Sequence, residues 1–184
     1  MILPRKYAIT GNEENLDVIA KMVSSKRAGA LSQVRAKTHT LTTLKEVLGS
    51  KIGGIVLLNS SSYDGTVLHP FQGIHLTSQD AKDMELIKDL RKRGAKYIAA
   101  SCHNEEEISI ANRVGCDFIT ISPVNIASCH PEAKPIGWQR FSELSALANM
   151  PTFALGGQSI HDLSVAQQFG AYGISGVTEF WQDK

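Results

Sequence analysis

Residues 51–58 read KIGGIVLL, an almost unbroken apolar run that breaks off at Asn59. A strand that is apolar at every position has no solvated face, which is the mark of a parallel sheet covered on both sides. Working outward, short β-rich runs alternate with stretches of helical spacing. Lys6–Thr10 ends at Gly11-Asn12, and Glu13–Lys26 then places Leu16, Ile19, Ala20 and Val23 on one helical stripe, with Asn12 or Asn15 as its N-cap. Ala30–Arg35 reads as a strand, followed by a Thr-capped helix around Thr42–Leu48. Ser60–Gln72 is polar, punctuated by Gly and Pro, and reads as a loop where a third helix belongs. The rhythm then resumes: strands at Gly73–Leu76, Lys96–Ala100, Asp117–Ile121, Pro151–Leu155 and Gly173–Val177, and helices at Ser78–Arg93, Glu105–Val114, Trp138–Ala148 and His161–Phe169.

Eight strands joined by helices or loops favour a parallel sheet. The 184 residues shared over eight units leave 23 each, lean beside the roughly 250 residues of a typical eightfold barrel. An open doubly wound sheet is the alternative, but no Gly-x-Gly-x-x-Gly follows the first strand, where a dinucleotide fold carries it. The expectation is an α/β fold: one compact (β/α)8 barrel over residues 1–184, with a reduced third helix.

Composition narrows the function. Lys+Arg 19 against Asp+Glu 18 leaves a formal charge of +1, without the basic surplus of a nucleic-acid binder. No apolar run approaches the ~20 residues of a membrane span, and MILPRKYAIT turns polar too early for a secretory signal. Three cysteines without a C-x-x-C argue against a disulfide scaffold or a zinc ribbon and suit a reducing cytoplasm.

In a βα barrel the reacting groups stand where the strands run out. Strand two ends in Gln33-Val34-Arg35-Ala36-Lys37, and alternation puts Gln33, Arg35 and Lys37 on one side. Two long cations aimed together call for an anion, and phosphate fits them; a solvated basic strand end is the plain alternative. Strand three ends at Asn59. Strand four delivers His75, Ser78 and Asp80, and Asp80 reads either as a Mg²⁺ ligand or as the cap of the next helix. Ser101-Cys102-His103 and Ser128-Cys129-His130 carry soft-metal ligand types, but adjacent Cys-His pairs lack zinc-site spacing. Gly156-Gly157 after strand seven and Gly176-Val177-Thr178 after strand eight suit a phosphate held by backbone N–H groups, or simply tight turns.

The ordered series QVRAK, LLNS, GIHLTSQD, SCHN, ISPV, ALGGQS and GAYGISGV resembles the thiamine phosphate synthase family, which also contains the thiazole tautomerases. The resemblance implies a compact βα barrel that joins a pyrimidine pyrophosphate to a thiazole phosphate with Mg²⁺, releasing pyrophosphate. It implies that Gln33, Arg35, Lys37 and Asn59 surround the pyrimidine and its pyrophosphate, and that Asp80 is one of two Mg²⁺ aspartates. Ser101 and His103 match a serine–histidine element, Gly156 and Gly157 the thiazole-phosphate loop, and Val177 and Thr178 an Ile-Ser pair.

Departures from the pattern fall at defined points. Ser60 stands where the other Mg²⁺ aspartate belongs, Ser122-Pro123 replaces Gly-Pro, and Ala127-Ser128-Cys129-His130 replaces Thr-x-Thr-Lys. His130 is thus the candidate stand-in for a lysine, and charged only when protonated. The stretch SCHPEAKPIGWQRF and the later EFW resemble the synthase-like domain fused to Nudix hydrolases. Expected partners are therefore a small phosphorylated heterocycle, a second copy of the chain in a homodimer, and a separate Nudix hydrolase. The alternative function is a phosphate-binding barrel that is not a synthase, tautomerase-like or a clean-up partner of such a hydrolase.

Overall fold

The computed structural model describes residues 2–11, 13–26, 30–126, 133–177 and 179–181. Eight parallel strands close on themselves in sequence order: β1 Lys6–Ile9, β2 Leu31–Val34, β3 Ile55–Asn59, β4 Gly73–Leu76, β5 Tyr97–Cys102, β6 Phe118–Ile121, β7 Thr152–Leu155 and β8 Gly173–Gly176. Closure comes from β1 pairing with β8 through Tyr7 opposite Ser175. The helices are α1 Leu16–Ser24, α2 Leu41–Leu48, α3 Met84–Lys92, α4 Glu105–Val114, α5 Gly137–Ser145 and α6 Leu163–Gln168. The lean unit length is met by shortening strands and helices, not by opening the sheet.

Alternation along each strand separates two apolar sets. Tyr7, Leu31, Leu57, Ala99, Phe118 and Phe153 fill the barrel interior with Leu3 beneath them. Tyr7, Phe118 and Phe153 meet edge to face, with centroids 5.3 to 5.8 Å apart. That geometry suits the ring quadrupoles and plugs the barrel below its mouth. Their strand neighbours Ala8, Val34, Val56, Ile98, Ile119 and Ala154 face outward against the helices.

Local chemistry sets the helix ends. Asn15 is the cap of α1, its side chain accepting from the Asp17 and Val18 amides. The expected long helix Ser78–Arg93 is interrupted: a 3-10 turn occupies Asp80–Lys82, and α3 starts afresh behind Asp83, which accepts from the Glu85 and Leu86 amides. Asp80 is therefore not the helix cap; Asp83 has that role.

A 3-10 turn at Ser60–Ser62 and an irregular segment do replace the third helix. Leu68 and Phe71 supply the apolar cover that a helix face would have given, both buried in the outer core. Asp64 ties the segment down by accepting from the amides and hydroxyls of Thr42 and Thr66. No helix among the described residues is long and apolar enough to cross a membrane.

Candidate active site

A cavity of about 810 Å³ opens where the strands run out. Gln33, Arg35, Lys37, Asn59, His75, Ser101, His103, Gly156, Gly157 and Val177 all line it. Nine of the expected site residues thus converge with His75 on one concavity, although β2 stops at Val34 and carries Arg35 and Lys37 in the loop beyond. His130 and Thr178 lie outside the described residues. So do Ala127, Ser128 and Cys129.

The cation loop is set by the β1–α1 connection. The Arg35 amide donates to Thr10 Oγ1 at 2.8 Å. Glu14 accepts from the Lys37 amide (3.0 Å), the Thr38 amide (3.2 Å) and the Thr38 hydroxyl (2.5 Å). Burial pushes the Glu14 carboxyl up, but these hydrogen bonds and nearby His39 outweigh it and hold the group below its ordinary range. Glu14 was not legible as a site residue, because nothing local in sequence links it to a loop more than twenty positions away.

At the end of β3, Asn59 is buried and turns its carbonyl oxygen to the Ser61 amide and hydroxyl. Its amide nitrogen is the group left for the cavity it lines. Beside it, Asp80 Oδ2 accepts from Ser60 Oγ at 2.5 Å and Thr77 Oγ1 at 2.8 Å. Ser60, expected to stand where a second Mg²⁺ aspartate belongs, thus spends its hydroxyl on Asp80. Asp80 is not among the residues lining the cavity; Thr77 and Ser78 are. Among the described residues no group of three His, Cys, Asp or Glu could hold a metal. Asp80 Oδ1 has no hydrogen-bond donor among them. One uncommitted carboxylate oxygen fits Mg²⁺ only as an ion that keeps its waters and leans on substrate phosphates.

Polar side chains form the floor. His75 points inward on β4, buried, with Nδ1 2.9 Å from the Tyr7 hydroxyl and Nε2 3.0 Å from Ser101 Oγ. Burial, reinforced by the charge of Arg35, pushes its pKa down to about 3, so the ring is neutral. Thr120 stands beside Ser101 in register, and its buried hydroxyl has no partner among the described residues. On the rim His103 is exposed, its Nδ1 2.8 Å from Glu107 Oε2, which also accepts from the His103 amide. Alternation through GIHL was the available signal for His75; Tyr7, deep in the interior, gave none. Cys102 and Cys116 are buried free thiols, both pushed up to about 12 by burial, and neither is reactive there.

The opposite part of the rim is backbone. Gly156 (φ 100°) and Gly157 (φ 60°) adopt left-handed conformations that favour glycine. Both are pressed on the β6 loop: a Cβ on Gly156 would lie 2.9 Å from Pro123 Cα, and one on Gly157 would lie 2.4 Å from the Ile126 carbonyl oxygen. Loops six and seven are also laced together by the Val124 amide on Leu155 O and the Asn125 amide on Gly156 O. The glycine pair does not run straight into a helix, since α6 starts only at Leu163. The Gly157 and Gln158 amides donate to no acceptor among the described residues. Glu179 also lines the cavity, its carboxylate turned onto the Ser159 hydroxyl and the Ile160 amide.

Such a rim, with two cations after β2, amides without an acceptor among the described residues after β7 and a polar floor between, can accept anionic groups at separate points. The model of a family described as thiamine monophosphate synthase matches residues 6–180. The chain belongs to that family.

Among its relatives, a putative thiamine-phosphate synthase 2 from Aquifex aeolicus (strain VF5) is 33% identical over 98% of this chain and 99% of its own length. A thiamine-phosphate synthase from Prochlorococcus marinus (strain AS9601) is 34% identical over 94% of this chain. That comparison takes in only 50% of the Prochlorococcus protein, and the chain spans 38% of the one from strain MIT 9313. A solved structure, thiamine phosphate pyrophosphorylase from Pyrococcus furiosus, superimposes with a TM-score of 0.70 at 17% identity, over 94% of this chain and 85% of that one. At that identity it bears on the fold alone.

Proposed function

We propose that this family member joins a pyrimidine pyrophosphate to a thiazole phosphate and releases pyrophosphate, as a transferase of thiamine biosynthesis. The observation that carries the reading is the division of one cavity rim into two anion grips of different make, separated around the barrel by β8 and β1. Arg35 and Lys37 offer charge to the group that departs with its bonding electrons. The amides around Gly157 offer a fixed cradle to a phosphate that stays bound. Gln33, Asn59 and Ser101 present polar atoms to the heterocycles between. Asp80 Oδ1 is the protein atom that would hold a Mg²⁺ ion arriving with its waters, and that ion would supply positive charge to the leaving pyrophosphate.

One observation favours a second reading. Asp80 is already engaged by two hydroxyls, and His103, oriented by Glu107, faces the cavity as an acid–base group. A metal-independent, tautomerase-like proton transfer on a single phosphorylated heterocycle would use that pair. The test is pyrophosphate release from the two synthase substrates with and without Mg²⁺. Release that requires both substrates and the metal is expected. No release, with the thiazole phosphate still bound, would overturn the synthase reading in favour of the second.

A further inference from the structure

The floor contains an unbranched chain of three side chains from three strands. Tyr7 of β1 meets His75 of β4, and His75 meets Ser101 of β5, at 2.9 and 3.0 Å. Tyr7 and His75 are buried, at 0% and 2% exposure, and Ser101 lines the cavity. The direction of both bonds follows from counting protons. A neutral imidazole carries one N–H, on Nδ1 or on Nε2. If Nδ1 held it, that N–H would point at the phenol oxygen, and the phenol's own proton would need another acceptor. Among the described residues the Tyr7 hydroxyl has His75 alone, so that arrangement leaves a buried donor unmade. With the proton on Nε2, the phenol donates to Nδ1, Nε2–H donates to Ser101 Oγ, and every buried donor is used. Burial pushes the Tyr7 hydroxyl well above its ordinary pKa and His75 down to about 3, so neither group changes protonation state near neutral pH. Ser101 then accepts from His75, and its own O–H has no acceptor among the described residues.

We propose that Tyr7 and His75 are positioning residues that fix one imidazole tautomer and so make Ser101 a hydrogen-bond donor into the cavity. Its target is an acceptor atom of the bound phosphorylated heterocycle, a ring nitrogen or a phosphate oxygen. The assignment of that ligand rests on the functional reading above; the tautomer does not. With one lone pair of Ser101 Oγ taken by His75, the hydroxyl proton is aimed at the cavity, which favours ligands that place an acceptor lone pair there.

The tautomer is tested without any ligand. In ¹⁵N-histidine-labelled protein, long-range ¹⁵N–¹H spectra should show His75 with its protonated nitrogen coupled to both carbon-bound ring protons, which identifies Nε2–H. Tyr7→Phe should turn this into a mixture of tautomers, a change that a loss of packing alone would not produce. The Nδ1–H form or an imidazolium in the wild-type protein would overturn the proposal. The donor is tested by titrating two probes, inorganic pyrophosphate and 4-aminopyrimidine. Ser101→Ala should bind one of them at least tenfold more weakly, Tyr7→Phe should weaken the same probe two- to fivefold, and Ser101→Thr, which keeps the hydroxyl, should restore it. The probe affected identifies the acceptor. Equal affinity of wild type and Ser101→Ala for both would remove the donor role. Failure of pyrophosphate release with the Nε2–H tautomer intact would instead count against the synthase reading alone.

Discussion

The two anion-facing parts of the rim are made of different material. After β2 the backbone is held from outside by Thr10 and Glu14, and Arg35 and Lys37 are side chains added to a finished loop. After β7 the backbone is itself the binding surface, and its shape depends on two left-handed glycines pressed on the β6 loop. Binding and folding are therefore separable in the first region and inseparable in the second.

The largest expected effect tests that difference directly. Gly157→Val puts a branched side chain at φ 60° and drives a Cβ to 2.4 Å from the Ile126 carbonyl oxygen. Left-handed strain of about 1–3 kcal/mol should lower the Tm by roughly 2–12 °C, and inorganic phosphate binding should be lost with it. The variant thus does not leave the barrel untouched, because the β6 loop must yield. Arg35→Ala should weaken pyrophosphate roughly 10- to 150-fold, the range of about 1.5–3 kcal/mol for hydrogen bonds to charged groups. Calorimetric titration beside thermal melts checks both, and a Gly157→Val protein with unchanged Tm would break the comparison.

A smaller effect is expected at the Ser60–Asp80 pair between the two regions. Ser60→Asp removes the hydroxyl that donates to Asp80 and sets a second carboxylate against the first. Like charges so close raise one carboxyl's pKa and destabilise the metal-free protein, and Mg²⁺ relieves the repulsion. Melting of this variant should start below wild type and rise with millimolar Mg²⁺, while wild type stays nearly flat. Equal Mg²⁺ responses would show that Ser60 does not decide how this pair responds to Mg²⁺.

The smallest effect sharpens the first region. Glu14 has a lowered folded pKa, so its ionised form contributes to folding above the ordinary glutamate range. That contribution is lost as pH falls through the folded value. The Lys37 and Thr38 amide shifts should therefore titrate with a midpoint below 4.5, and should be flat over the same range in Glu14→Gln. A midpoint at or above 4.5 would mean that Glu14 does not clamp the loop.

What was legible in the sequence follows from the range of the forces involved. Strand alternation and helical spacing are local, so the barrel, the reduced third helix and the convergence of Gln33, Arg35, Lys37, Asn59, Ser101, His103, Gly156, Gly157 and Val177 could be read from the chain. The cap of α3 was not decided by the chain, because Asp80 and Asp83 offer the same side chain to the same kind of amide, and only the 3-10 turn separates them.

By itself, then, the sequence determined which residues reach the mouth of the barrel, because a strand's period of two and its end point decide that without reference to distant partners. Only the tertiary structure decided what those residues are free to do there. Ser60 spends its hydroxyl on Asp80, and Glu14 holds the loop that carries Lys37. Tyr7 sets a histidine 68 positions away, which in turn sets Ser101. Hydrogen bonds between strands depend on distances that exist only once the barrel has closed, and those pairings decide which polar atoms remain for a ligand.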